Sequence, residues 1–143
     1  MALKMIDHGS KEYQQMIALR YNILRKPLGL NFTPQELEKE KDEVVLIGAF
    51  EEDQMLGCCM LVKLDNKKVR LRQMAVLNNL QGKGIGRALT TFAENISRDL
   101  GYRKIMMHAR KTAVGFYEKL GYRVASPEFD ELTIPHFLME KDL

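Results

Sequence analysis

The amino-acid sequence predicts an α/β fold, with a mixed central sheet of about six to seven strands and about four helices packed on both faces. Three observations lead there. Residues 44–77 hold β-type apolar runs separated only by short polar breaks, the pattern of an antiparallel meander. Residues 74–87 then pass from the last of those runs through a glycine-rich loop into an amphipathic helix. The next apolar run is entered from that helix, which makes a parallel neighbour of the strand before it.

Taken in order, the first strand candidate is Leu3 to Asp7. Ser10 follows Gly9 as the N-cap of a helix whose apolar face is Tyr13, Met16, Ile17 and Leu24, widened by Leu19 and Ile23. Pro27 and Gly29 stop that helix near Arg25. Thr33-Pro34-Gln35-Glu36 starts a second, short helix with a capping residue, a proline at the first helical position and a capping-box glutamate. It ends in the charged run Glu38 to Glu43. Strands are expected over Val44 to Glu51, Met55 to Leu64 and Lys67 to Leu77, with breaks at Glu52-Asp53-Gln54 and Asp65-Asn66. The helix after the glycine loop carries Ile85, Leu89, Phe92, Ala93, Ile96 and Leu100 as one buried stripe, and Gly101 ends it. Lys104 to His108 is the next strand, followed by a helix from about Thr112 to Leu120 that ends at Gly121. Tyr122 to Ala125 and Ile134 to Glu140 are the last strands.

Composition bounds the function. At 143 residues the chain reads as one domain, residues 1–143, with enough length for a real core. A net charge of +3 is too small to imply nucleic acid. The basic cluster Lys63, Lys67, Lys68, Arg70 and Arg72 reads as a solvated hairpin whose lysines discourage edge pairing. Cys58 and Cys59 are adjacent, so they point to opposite faces of a strand and do not bridge each other. His8, His108 and His136 lack metal-ligand spacing, and His108 reads as an interior histidine. The N-terminus lacks a signal-peptide core, and no apolar run is long enough to span a membrane. The expected home is the cytoplasm, with no nucleic-acid or membrane partner.

Chemistry concentrates in Gln81-Gly82-Lys83-Gly84-Ile85-Gly86-Arg87. Free amides of such a loop and of the first helical turn converge on one spot, where the helix dipole also favours an anion. Spacing excludes two common nucleotide loops. No Ser or Thr follows Lys83, so this is not a Walker loop, and the glycines read G-x-G-x-G rather than G-x-G-x-x-G. Alone, the loop is also compatible with a ligand-free glycine turn.

A second motif changes that. Gln81-x-x-Gly84-x-Gly86 is similar to the acyl-CoA pyrophosphate loop of the GNAT (N-acetyltransferase) superfamily. Ala113-x-x-Phe116-Tyr117-Glu118-Lys119-Leu120-Gly121-Tyr122 resembles its second signature, at the expected separation. The resemblance, to a bacterial-type small GNAT-domain acetyltransferase, covers the chain from about Lys4 onward and implies acetyl-CoA as cosubstrate. It places backbone groups of Met74, Ala75 and Val76 along the pantetheine arm, and amides from Gly82 through Lys83, Gly84, Ile85 and Gly86 to Arg87 on the pyrophosphate. Gln81 braces the loop and Phe116 packs against the sheet or the cofactor. Tyr117 is the implied acid for the departing thiolate. One departure stands at Arg110, where the superfamily often has a cofactor-contacting Asn; Arg110 reaches a CoA phosphate, a substrate carboxylate or only solvent. Phe129 to His136 resembles a stretch near the acceptor site in one branch, which makes Glu131 and His136 candidates for deprotonating the amine. The run from Arg20 to Gly29 resembles that branch's acceptor-covering element. If they face the cleft, Arg20, Arg25 and Arg72 would bind an acceptor carboxylate or phosphate. The implied function is acetyl-CoA-dependent N-acetylation of a small-molecule or protein amine by direct attack in a ternary complex. The alternative is a non-catalytic CoA-binding or protein-interaction module. A homodimer is compatible with the general frequency of twofold assemblies.

Overall fold

A computed structural model describes residues 1–41 and 44–143. Residues 42 and 43, the expected end of the charged run, lie outside the described residues. The strands are β1 (Ala2–Ile6), β2 (Val44–Glu51), β3 (Gln54–Lys63), β4 (Lys68–Val76), β5 (Lys104–Arg110), β6 (Arg123–Val124), β7 (Phe129–Glu131) and β8 (Ile134–Asp142). The helices are α1 (Lys11–Arg20), α2 (Pro34–Lys39), α3 (Ile85–Asp99) and α4 (Val114–Lys119). Seven strands run in the order β1-β2-β3-β4-β5-β8-β6, and β7 also pairs with β8. Only β4 and β5 are parallel among these pairs, as the helix-linked connection requires. The strand beyond the six to seven expected is β7. Its turn into β8 is Leu132-Thr133, with φ of 53° and 65°, a conformation that hairpin sequence signals reserve for Asn and Gly.

Local chemistry sets the helix ends. Ser10 Oγ accepts from the Tyr13 amide at 3.1 Å, and Thr33 Oγ1 from the Glu36 amide at 3.2 Å. After Arg20 the first helix widens into a π turn, Tyr21–Arg25, before a tight turn at Lys26–Leu28 and a left-handed Gly29. Wide turns of this kind recur at functional sites.

Each face of the sheet has its own core. On one, Ile85, Leu89 and Ala93 of α3 pack with Ile47, Cys59, Val69 and Ile105. A Cβ on Gly57 would lie 3.0 Å from Ile85 Cγ2 and 3.1 Å from Leu89 Cδ1, so a glycine there lets α3 sit close on the sheet. Leu100, expected in the stripe, is exposed because the helix proper ends at Asp99. On the other face Tyr13, Met16 and Leu19 of α1 cover Leu46, Phe50, Cys58 and Met60. The two cysteines are thus free and buried on opposite faces. Among the described residues no helix is long and apolar enough to cross a membrane.

Arg20 belongs to this scaffold rather than to an acceptor pocket. It is fully buried, and its NH1 and NH2 donate to Glu40 Oε1 and Oε2 at 2.8 and 2.7 Å. Glu40 also accepts from the Tyr13 hydroxyl at 2.7 Å. Arg20 and Arg25 both lie against the Phe32 ring, 4.7 and 4.2 Å from its centroid. The pair therefore ties the segment around α2 to the end of α1. Arg20→Ala would leave a carboxylate uncompensated in a poorly solvated place, at an expected cost of about 3–5 kcal/mol in urea unfolding. The joint change to Met at 20 and Leu at 40 should cost less than Arg20→Ala alone; the reverse order would refute a buried pair.

Candidate active site

The parallel ladder between β4 and β5 has only three residue pairs, Lys68↔Lys104, Val69↔Ile105 and Arg70↔Met106. A bulge in β4 follows. Met60 pairs with Arg72 and Cys58 with Ala75, so Gln73 and Met74 both stand opposite Cys59, and Gln73 takes φ of 57°. Bulges bend a strand and increase its twist. Past this point the two strands share no ladder, and cavities open on either side of the gap.

The smaller cavity, about 560 Å³, is lined by Met74, Ala75 and Val76 of β4, by Gln81, Gly82, Gly84, Gly86 and Arg87, and by Phe116 and Tyr117 of α4. Gln81 Nε2 donates to the Val76 carbonyl and to Asn78 Oδ1, both at 3.3 Å, which holds the loop against the end of β4. Gly82 and Gly84 have φ of 81° and 88°, and a Cβ on either would meet nothing within 4 Å. Those positions leave an open cradle of backbone at the start of α3. Gly86 lies where a Cβ would touch Phe116 Cζ at 3.4 Å. Ile85 sends its side chain into the core, and Lys83 is exposed outside the lining.

The larger cavity, about 650 Å³, is lined on one side by Arg25 and Glu36 and on the other by Arg70, Arg72, Gln73, His108, Arg110, Glu131 and His136. It shares Met74, Ala113 and Tyr117 with the smaller one. Tyr117 thus stands at the junction, buried, with its ring edge-on to Phe116 and Tyr122. Burial, and then the nearby Cys59, push its hydroxyl above the usual tyrosine range, so it stays protonated at neutral pH. Behind it the Tyr122 hydroxyl donates to Glu94 at 2.7 Å, and Lys141 closes the same carboxylate at 3.1 Å.

Arg110, weighed as a cofactor contact, lies on the larger cavity and not on the glycine-loop side. Arg25 reaches that cavity but holds Glu36 at 3.0 Å. Burial alone would raise the Glu36 pKa; the hydrogen bond and charge of Arg25 outweigh it, and the net direction is down. Two residues of the site depart from the sequence expectation. Arg70 is not part of a solvated hairpin and His108 is not interior. On neighbouring parallel strands, Arg70, Arg72, His108 and Arg110 fall at alternate positions, a signal that the period-2 rule carries.

These groups meet in a cluster around Glu131. His108 Nδ1 lies 2.9 Å from Glu131 Oε1 and 3.0 Å from Arg70 NH2, and His136 Nε2 lies 3.5 Å from Glu131 Oε2. His136 Nδ1 is 2.7 Å from the Ile134 carbonyl, which can only accept. Its Nδ1 therefore carries a proton, and Nε2, which faces Glu131, is the nitrogen that can take or lose one. Phe129 separates the two imidazoles, edge-on to His108 and stacked on His136. Desolvation raises the Glu131 pKa, but the His108 hydrogen bond and the charges of His108, His136 and Arg70 outweigh it, so the net direction is down.

Two expectations follow. A carboxylate with a depressed folded pKa stabilises above its unfolded value and loses that contribution as pH falls through the folded one. The stability gap between the natural chain and Glu131→Gln should hold above about pH 5 and close below about pH 4, read by urea unfolding. The strained turn beside it predicts that Thr133→Gly stabilises by about 1 kcal/mol, since a β-branched residue at positive φ stores strain that glycine releases. An unchanged or lowered urea midpoint would argue against stored strain.

A family model described as an acetyltransferase (GNAT) domain matches residues 25–143. The uncharacterized N-acetyltransferase YjcF of Bacillus subtilis (strain 168) is 31% identical over 108 residues, covering 75% of this chain and 74% of its own length. The uncharacterized protein YyaT of the same strain is 29% identical over 108 residues, covering 76% and 72%. The crystal structure of a candidate N-acetyltransferase from Lactobacillus plantarum superposes with a TM-score of 0.85 at 25% identity, covering 100% of this chain and 99% of that one. An aminoglycoside 6'-N-acetyltransferase complexed with coenzyme A shares the fold, with a TM-score of 0.85 at 17% identity and coverage of 99% and 97%. With the splayed strands, glycine cradle and junction tyrosine in place, the match over most of its length means that the chain belongs to the GNAT acetyltransferase family.

Proposed function

We propose that the protein transfers an acetyl group from acetyl-CoA to the primary amine of a small molecule or protein, by direct attack in a ternary complex. The observation that carries this reading is the meeting of two cavities at Tyr117, one built on the glycine loop and one lined by titratable side chains. The smaller cavity fits a CoA group. Its glycines leave an open backbone cradle at a helix N-terminus, which suits a pyrophosphate, and Phe116 adds apolar surface. When bound, acetyl-CoA supplies an activated thioester carbonyl.

Each residue then has a task. Backbone groups of Met74, Ala75 and Val76, freed from the β5 ladder, align the pantetheine arm as an added strand. Amides from Gly82 to Arg87 hold the pyrophosphate, and Gln81 keeps the loop in place. His136 receives the amine proton at Nε2, and Glu131, 3.5 Å away, stabilises the imidazolium. Tyr117 donates its proton to the thiolate as the C–S bond breaks, since burial has kept that proton on the oxygen.

Tyr117→Phe tests the assignment. It should lower kcat by about 10²-fold or more while acetyl-CoA affinity, measured by calorimetry, stays within about twofold. Full turnover in the variant would remove the acid role. Failure of the folded protein to bind acetyl-CoA or CoA would remove the acetyl-transfer reading and favour a partner-binding module.

A further inference from the structure

The larger cavity carries more positive charge than its own carboxylates balance. Four arginines line it, Arg25, Arg70, Arg72 and Arg110, against the carboxylates Glu36 and Glu131. Arg25 is committed to Glu36 at 3.0 Å, and Arg70 to the His108 and Glu131 cluster at 3.0 and 4.0 Å. Arg72 and Arg110 have no ion-pair partner among the described residues. They stand on the two strands that flank the gap, Arg72 on β4 beyond the last ladder pair and Arg110 at the end of β5. The surplus is felt locally. Burial first, and then the like charge of Arg72, hold the Arg70 guanidinium below its usual pKa.

Two exposed guanidiniums with no ion-pair partner among the described residues, on the wall of one cavity, favour an oxyanion, which each can bind through two parallel N–H groups. We infer that the larger cavity takes an amine that carries its own anionic group, a carboxylate or a phosphate, held between Arg72 and Arg110. Glu131 and His136 stand on the same cavity wall to receive the amine. The inference deepens the acetyl-transfer reading and rests on it for the role of the amine. Polyamines and other purely cationic amines are disfavoured by the same charge.

The test is calorimetry on the full chain saturated with CoA, using two matched pairs, O-phosphoethanolamine against ethanolamine and β-alanine against β-alaninamide. Each anionic probe should bind at least tenfold more tightly than its partner, and the stronger of the two tells phosphate from carboxylate. Arg72→Gln and Arg110→Gln should each cut that ratio fivefold or more. Arg123→Gln, an exposed arginine held by Glu140 and Asp142, should leave it unchanged. Equal affinity within both pairs, no binding of any probe, tighter binding of spermidine, or a preference that survives both substitutions would overturn the proposal. Preferential anion binding without thiol release from acetyl-CoA would instead sink the acetyl-transfer reading and leave this one standing.

Discussion

The parallel ladder between β4 and β5 ends at Arg70↔Met106, and the rest of the site depends on that ending. Had the two strands stayed paired to their tips, no backbone of β4 would be free for a ligand and no cavity would open beside Tyr117. The bulge at Gln73 and Met74 turns β4 away while β3 continues to pair with it, so the sheet stays whole on one side and parts on the other. The glycine loop continues from the diverging strand and inherits its direction. Helix α3 is held by the core that Ile85, Leu89 and Ala93 make on the intact half of the sheet, which fixes its N-terminus beside the gap.

The second constraint is how charge is sorted. Arginine is abundant around the cleft, but the four lining guanidiniums and Arg20 do different things. Arg20 is enclosed with Glu40 and Phe32 and acts as a structural tie. Arg25 is half committed, ending the π turn and holding Glu36 beside it on the cavity wall. Arg70 sits inside the histidine–carboxylate cluster. Of the four, Arg72 and Arg110 have no ion-pair partner among the described residues. A buried pair such as Arg20–Glu40 adds little net stability over an apolar pair of equal volume; its worth is in registering two segments. The segment that follows α1 is therefore tied to the α2 region by a charge pair.

Features that rest on neighbouring residues were readable from the sequence. Ser10 and Thr33 cap as their positions require, the α3 stripe from Ile85 to Ile96 packs on the core with Phe92 and Ile96 partly buried, and the glycine loop opens a helix. Features that rest on distant partners were not. Arg20 and Arg72 look alike along the chain, and only the placement of Glu40 by the α2 segment separates a tie from a free cation. The β7 strand was hidden because Leu132 and Thr133 carry no turn signature while occupying a turn with positive φ at both positions. His108 looked interior because Met106 and Met107 precede it on an apolar strand. Its face is set by the partner register, which puts it on the side of Arg70.

In the proposed reaction the positive surplus and the Glu131 cluster would act on the same atom, the acceptor nitrogen. An acceptor amine enters water-exposed space as an ammonium, and only the neutral form has a lone pair to attack a carbonyl. Nearby guanidiniums disfavour the ammonium and lower the amine's pKa, while removing water strengthens that effect. Such a site would ordinarily repel the cation it must receive. An anionic group on the same molecule would remove the conflict, since its attraction to Arg72 and Arg110 would hold the amine where the field favours losing the proton. Glu131 then has to serve as a local counter-charge without neutralising the whole cavity. Its contacts suit that: His108 and Arg70 engage one oxygen, and the other lies 3.5 Å from the His136 nitrogen that would take the proton in the proposed reaction. His108 Nδ1 cannot donate to Glu131 and accept from Arg70 in one state, so its proton decides how strongly that carboxylate is held. On the proposed reading, binding and deprotonation would be two consequences of one arrangement of charge, in the cavity beside the β4 bulge.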